Sequence, residues 1–176
     1  GQWFLDPLNK KGPDFERNKK RILDKINAVD ATFLTTSPDV LPFLKNKNSF
    51  FIPNPSDKSF ESLNNFEKSC NVDVFFALSH GVHRGVLKTG KTDDRIIFLR
   101  DLQAKTPDVK FDLYGIDKVQ PIWADHYFKT IANAKMGLNL SRGDAIKYYS
   151  SDRITQIVGN GLVCLIDEKT KYQDFF

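Results

Sequence analysis

Apolar residues recur along the chain in two rhythms, a helical spacing of three to four and short unbroken runs, and their alternation sets the predicted elements. Over Pro13 to Val29, Ile22, Leu23, Ile26 and Val29 stand at helical spacing, with Pro13 at a first-turn position and Asp14 and Glu16 near the positive end; this predicts a helix. Ala31 to Thr36 predicts a strand stopped by Ser37-Pro38, and Ser49 to Ile52 a second strand stopped by Pro53-Asn54-Pro55, with a short helix between them. The two prolines within Pro53 to Asp57 lack ladder donors, so that stretch reads as a hinge or domain boundary.

Beyond it the alternation is regular. Asp73 to Ser79 is a near-continuous apolar run, the pattern of a strand covered on both faces. His80 to Lys91 is a Gly-rich basic loop, after which Thr92 is expected to cap a helix with Asp93 and Asp94 in its first turn and Ile96, Leu99 and Leu102 on one face. Lys110 to Ile116 predicts a strand, Tyr127 to Ala134 a helix and Lys135 to Ser141 a strand. Ser151 to Val158 predicts a helix stopped at Gly159-Asn160-Gly161, and Leu162 to Ile166 a last strand. Short apolar strands separated by helices imply an α/β fold with a parallel sheet and right-handed crossovers. The expected domain plan is residues 1–52 as the end of one lobe, 53–72 as a linker and 73–176 as a ligand-binding domain.

Composition narrows the classes without choosing among them. The chain has 176 residues, 40% hydrophobic and 27% charged, which excludes disordered, collagenous and coiled-coil architectures. No apolar run approaches the ~20 residues of a membrane helix, and peripheral membrane contact is compatible with the charge balance. The net charge of +4 comes mostly from scattered lysines and favours anionic ligands only mildly, so nucleic acid is not an expected partner. Cys70 and Cys164 are too few for a disulfide framework, and a reducing, cytoplasmic setting is expected. Gly1 in place of Met, and an end at Phe176 soon after a strand, read as the limits of a fragment. Asp6 follows Gln2-Trp3-Phe4-Leu5 too soon for a secretory leader.

Ligands of open α/β sheets bind outside the carboxyl ends of the strands. The residues there are His80, Gly81, His83, Arg84, Gly85 and Lys88 after the first strand, Gly115 after the second, and Ser141, Arg142 and Gly143 after the third. Tyr148, Tyr149, Ser150, Ser151 and Arg153 lead into the last helix. Glycines admit a bulky anion to the backbone, helix starts present N–H groups and Arg offers a planar fork, so one phosphate or diphosphate suits them all; the bland alternative is a solvated basic loop. Neither G-x-x-x-x-G-K-[ST] nor G-x-G-x-x-G occurs after the first strand, which disfavours NTP hydrolysis and NAD binding. His80, His83 and His126 lack partners at metal-binding spacing, no metal cofactor is expected, and no Ser stands in a nucleophile elbow. Trp123 is expected in core or interdomain packing.

The basic loop, Ser141-Arg142 and the segment Tyr149 to Gly161 together resemble the donor-binding half of a GT-B glycosyltransferase of the group-1 type that includes CgeB-like proteins. Ser151, Arg153 and Gly161 match a pattern S-x-R-x-x-E-x-x-x-x-G, and Leu162 to Ile166 supplies the strand after it. The resemblance covers about Pro53 to Phe176 and implies a Rossmann-like domain, with a fragment of the acceptor-side lobe before it. It further implies transfer of a sugar from a nucleotide-sugar donor to a saccharide, lipid-linked or protein acceptor, without a metal. Arg84 and Lys88 match the basic residues that neutralise the diphosphate leaving group. His80, Gly81, Gly115, Ser141, Arg142, Ser150, Ser151, Arg153 and Gln156 are the implied donor-binding set. The chain departs from the pattern at Gln156, where the family has a ribose-binding Glu, and at Tyr148, where a second Glu is expected; Gln can still bond a diol. The chain by itself is expected to be inactive as a hexosyltransferase, and the alternative reading is a non-catalytic nucleotide- or phosphosugar-binding module, or a protein-interaction domain of the same fold.

Overall fold

Seven short strands and four α-helices alternate along the chain in a computed structural model that describes residues 1–12, 14–79 and 92–175. Contacts divide it into two compact units. The first comprises residues 1–55, 141–154 and 166–176, and the second residues 56–140 and 155–165. Each is an α/β body with a parallel sheet and flanking helices, so the expected fold class holds.

In the first unit the order is β1 (Gln2–Phe4), β2 (Thr32–Leu34), β3 (Ser49–Phe51), all parallel. β1 lies outside the predicted elements, since three residues offer too little alternation to read. Helix α1 spans Phe15–Leu23 and stops well short of Val29. Past Leu23 the N–H groups of Lys25 and Ile26 bond three residues back, to Ile22 and Leu23, and Asp24, Asn27 and Asp30 are weak helix formers. The expected helix between β2 and β3 resolves into two 3-10 turns, Pro38–Val40 and Pro42–Leu44, because Pro42 cannot donate to a continuing α-helix. Phe4, Leu8, Ile22, Leu34, Leu41 and Leu44 close the core over one face of the sheet.

The second unit has the order β5 (Phe111–Tyr114), β4 (Val72–Ala77), β6 (Ala134–Asn139), β7 (Val163–Ile166), with β5 and β6 both parallel to β4. The apolar run at β4 is buried on both faces, as its pattern required. Val74, Phe76 and Leu78 pack with Ile96 and Leu99 of α2 (Asp94–Lys105). Phe75 and Ala77 pack with Ile131 of α3 (Ala124–Ile131) and Ile157 of α4 (Arg153–Val158). Three predicted details shift. The cap of α2 is Asp93, not Thr92, its carboxylate accepting from the Arg95 N–H at 3.0 Å. Helix α3 begins earlier than expected, at Ala124, and also ends earlier, because the Asn133 carbonyl accepts from the Val72 N–H and opens the β4–β6 pairing at Ala134. Trp123 is 60% exposed, standing in extended backbone just ahead of α3 rather than in the core.

The stop at Gly159-Asn160-Gly161 forms as expected and is a Schellman motif. Leu162 N–H bonds Ile157 C=O, Gly161 N–H bonds Val158 C=O, and Gly161 has φ +78°. The accompanying apolar contact is between Leu162 and Ile157, both in the core.

Candidate functional site

The order β5-β4-β6-β7 has its switch point between β4 and β6, since the chain leaves β4 for one side and returns on the other. Continuing the register that sets Phe75 beside Gly137 brings Ala77 level with Asn139 at the carboxyl edge. Asn139 is buried there, a polar residue closing an apolar strand, and it escaped the sequence reading because it looks like the end of the run. From the same edge the chain continues beyond β4 into His80 to Lys91. The expected site residues His80, Gly81, Arg84 and Lys88 lie in that segment and so outside the described residues.

Gly115 follows β5 with φ +76°, and a Cβ there would stand 2.1 Å from the Leu78 carbonyl oxygen. The Leu78 N–H in turn donates to the Tyr114 carbonyl at 2.9 Å. This close approach of two backbones accounts for the glycine without any ligand. Asp93, at the start of α2, is almost wholly buried, and the Arg95 guanidinium grips its two oxygens through Nε at 2.9 Å and Nη2 at 2.7 Å. A buried pair of this geometry fixes the helix start that follows the basic segment.

Gln156 is half-buried on α4, and its carbonyl accepts from Asn160 Nδ2 at 2.8 Å. Asn160 is fully buried, its Oδ1 accepting from the Leu63 N–H at 3.1 Å and its carbonyl from the Asn65 N–H at 2.9 Å. The end of α4 is thus tied to the 63–65 turn by one side chain that sequence reasoning treated only as part of a helix stop. Gly137 lets α4 settle on β6, since a Cβ there would meet Ile157 Cγ1 at 2.6 Å.

The remaining expected residues, Ser141, Arg142, Ser150, Ser151 and Arg153, belong to the first unit. Here the segment from Asp144 to Ser150 crosses the carboxyl ends of the three strands in order. The Asp144 carbonyl accepts from Asn9 Nδ2 at 2.6 Å, the Lys147 carbonyl from the Ser37 N–H at 3.1 Å and the Ser150 carbonyl from Asn54 Nδ2 at 3.0 Å. Asn9, Ser37 and Asn54 follow β1, β2 and β3 respectively, so every third carbonyl is pinned to the next strand. Asn54, between two prolines, is buried, where the sequence suggested only a hinge. Ser150 is buried, with its hydroxyl donating to the Ser151 carbonyl, while Ser151 Oγ accepts from Arg153 Nη1 at 3.3 Å. Ser141 is half-buried and Arg142 exposed. Helix α4 has six residues, a shorter dipole than the sequence reading supposed.

Charge along this segment is paired. Lys147 Nζ lies 2.6 Å from Asp39 Oδ2, and the hydrogen bonds from Lys147 and Ser37 hold the Asp39 carboxyl below its usual range. The same contact raises Lys147. Tyr148 OH donates to Asp174 Oδ2 at 2.9 Å, which together with desolvation raises the phenol's pKa. Among the described residues no group of three His, Cys, Asp or Glu is placed to hold a metal ion, and no helix is long and apolar enough to cross a membrane.

Residues 95–176, a little under half of the chain, match the model of a family described as glycosyl transferase-like. No curated protein and no solved structure gives a significant match. The matched segment runs from the first turn of α2 through β5, β6, α4 and β7, and so contains the switch-point residue Asn139 and the Gln156 helix.

Proposed function

We propose that the chain binds a nucleotide-sugar donor and serves in glycosyl transfer, as a GT-B-type enzyme of the group-1 or CgeB-like kind. The observation that carries this reading is the glycosyl transferase-like match over 95–176, and a parallel sheet with a switch point beside β4 supports it. In this reading Arg84 and Lys88 face the diphosphate. A departing nucleoside diphosphate gains negative charge in the transition state, so fixed cations stabilise it there more than in the ground state. Gln156 takes the ribose hydroxyls as an amide, able both to donate and to accept.

The test is a thermal-shift screen of UDP-, GDP- and ADP-sugars on the full chain. A donor at about 100 times its Kd stabilises by about 2.7 kcal/mol. Arg84→Ala should weaken binding of the responding donor by roughly 1.5 to 3 kcal/mol, the range of charge-assisted hydrogen bonds. No response from any nucleotide sugar, or unchanged affinity in Arg84→Ala, rejects the reading.

The absence of a carboxylate at Gln156 favours a second reading, a nucleotide- or phosphosugar-binding module without turnover. Donor binding with no hydrolysis or transfer, and none gained in Gln156→Glu, would select it.

A further inference from the structure

We propose that the outer face of the first sheet is the interface of a weak two-fold homodimer, with a second copy of this chain seated on the aromatic row Trp3, Phe33 and Phe50. The strand register sets Trp3 beside Phe33 and Phe33 beside Phe50, one residue from each strand. Side chains alternate across a strand, so the three project from one face, opposite the buried Phe4 and Leu34. The row is open to solvent, with Trp3 50%, Phe33 37% and Phe50 49% exposed. The Phe33 and Phe50 rings stack with centroids 5.8 Å apart and form one continuous apolar surface. Leu5, the next residue of the same parity past β1, is exposed as well.

Topology explains why this face is bare. The strands run in the order β1-β2-β3, and right-handed crossovers taken in one direction fall on one side of a sheet. Ile22 of α1 and Leu41 and Leu44 of the two 3-10 turns accordingly pack together on the side of Phe4 and Leu34. Parallel sheets are stable when both faces are covered, so the aromatic face calls for a cover from outside these crossovers. None of its three side chains is charged, which leaves a polyanion nothing to pair with.

The row matches itself. Its two ends are large rings about 10 Å apart, two strand spacings, with Phe33 midway between them. A two-fold axis between two such faces, running along β2, sets Phe33 against its counterpart and Trp3 of each copy against Phe50 of the other. Packed sheets stand about 10 Å apart with strands nearly aligned, a gap that rings of this size fill. Such a contact is isologous and closes at the dimer. Area sets its strength. At these exposures the three rings offer roughly 300 Å² per copy. Two copies then bury about 600 Å², short of the ~1,000 Å² of a stable interface, so the dimer is transient, with a Kd on the order of 100 µM. The dimer does not depend on the glycosyl-transfer reading.

Sedimentation velocity of the full chain over about 5 to 500 µM tests this. The weight-average mass is expected to rise toward twice that of the monomer and not beyond it. Phe33→Glu and Phe33→Lys should each weaken association about tenfold or more, because like charges then meet on the axis. Mixing the two variants should restore it at least about fivefold over either alone, since the charges now oppose. Phe50→Lys, on an edge strand, should weaken association similarly and serves should a change in the central strand unfold the chain, which far-UV circular dichroism detects. A chain that stays monomeric throughout overturns the proposal. Association that every variant leaves intact also overturns it, because the contact would then lie on another face. A mixture of Phe33→Glu and Phe33→Lys that gains nothing shows that Phe33 does not meet its counterpart, and the two-fold arrangement fails. Monomers that bind phosphatidylcholine vesicles through the same row would reject the dimer in favour of a lipid-facing surface.

Discussion

Replacing Gly137 by Ala tests how α4 is seated on the second sheet. The new Cβ would lie 2.6 Å from Ile157 Cγ1, 2.8 Å from Cδ1 and 3.0 Å from Cγ2, and Ile157 is fully buried, so the side chain has no free volume to retreat into. Overpacking of this kind costs about 1 to 3 kcal/mol, offset by about 0.4 to 1 kcal/mol from the reduced freedom of the unfolded chain. Gly137→Ala should therefore destabilise by about 1 to 2 kcal/mol. Ile157→Ala removes all three obstructing atoms and alone costs about 2 to 5 kcal/mol as a cavity. In the double variant the added methyl enters the space the isoleucine vacated. The combined loss should then fall short of the sum by at least about 1 kcal/mol, well outside the additivity of independent sites. Urea denaturation followed by far-UV circular dichroism on the four proteins measures the cycle. Penalties that add to within about 0.5 kcal/mol would show that Gly137 and Ile157 are not in contact and that α4 lies elsewhere on the sheet.

Gly115→Ala should destabilise by about 2 kcal/mol or more in the same assay, and by more than Gly143→Ala. Both residues have positive φ, but the nearest neighbour of an added Cβ is a backbone oxygen at 2.1 Å for Gly115 and the Asn9 amide at 3.1 Å for Gly143. Asn160→Ala leaves the Leu63 N–H and the Gln156 carbonyl without the partners they have now, so a loss of about 2 to 4 kcal/mol is expected in urea; less than 1 kcal/mol would refute the tie. Asp39 has its pKa lowered from 3.8, so its pairing with Lys147 contributes above that value and is lost as pH falls through the lowered one. Stability measured between pH 6 and pH 2 should fall less steeply in Asp39→Asn than in the parent, and parallel curves would dismiss the linkage.

Burial leaves its trace in composition at the position buried, and the elements that depend on burial were legible. The run at β4 announced a strand with two covered faces, and Phe75 and Phe76 are indeed packed on opposite sides of it. Ile96, Leu99 and Leu102 marked the inward face of α2. Gly161 marked the stop of α4, since few other residues tolerate φ near +78° at that point. The parallel α/β class followed from such local signals.

Long-range pairing of polar groups leaves no such trace. Asn54 between its prolines is, as a sequence, a turn; that its amide holds the carbonyl of Ser150, 96 residues away, depends on which segment the fold lays across β3. The same is true of Asn160 against Leu63 and of the rings of Phe51, Tyr148 and Phe175, drawn from three separate stretches of chain. β1 escaped notice for a related reason, because three residues gain strand character only from the neighbour they pair with. Hydrophobic period and turn chemistry are properties of a residue and its near neighbours, so the sequence alone determined the class of fold, most of its elements and the helix stop. A hydrogen bond or ring contact is a property of two places brought together, and only the tertiary structure decided where the segment 144–150 lies and what gathers at its edge.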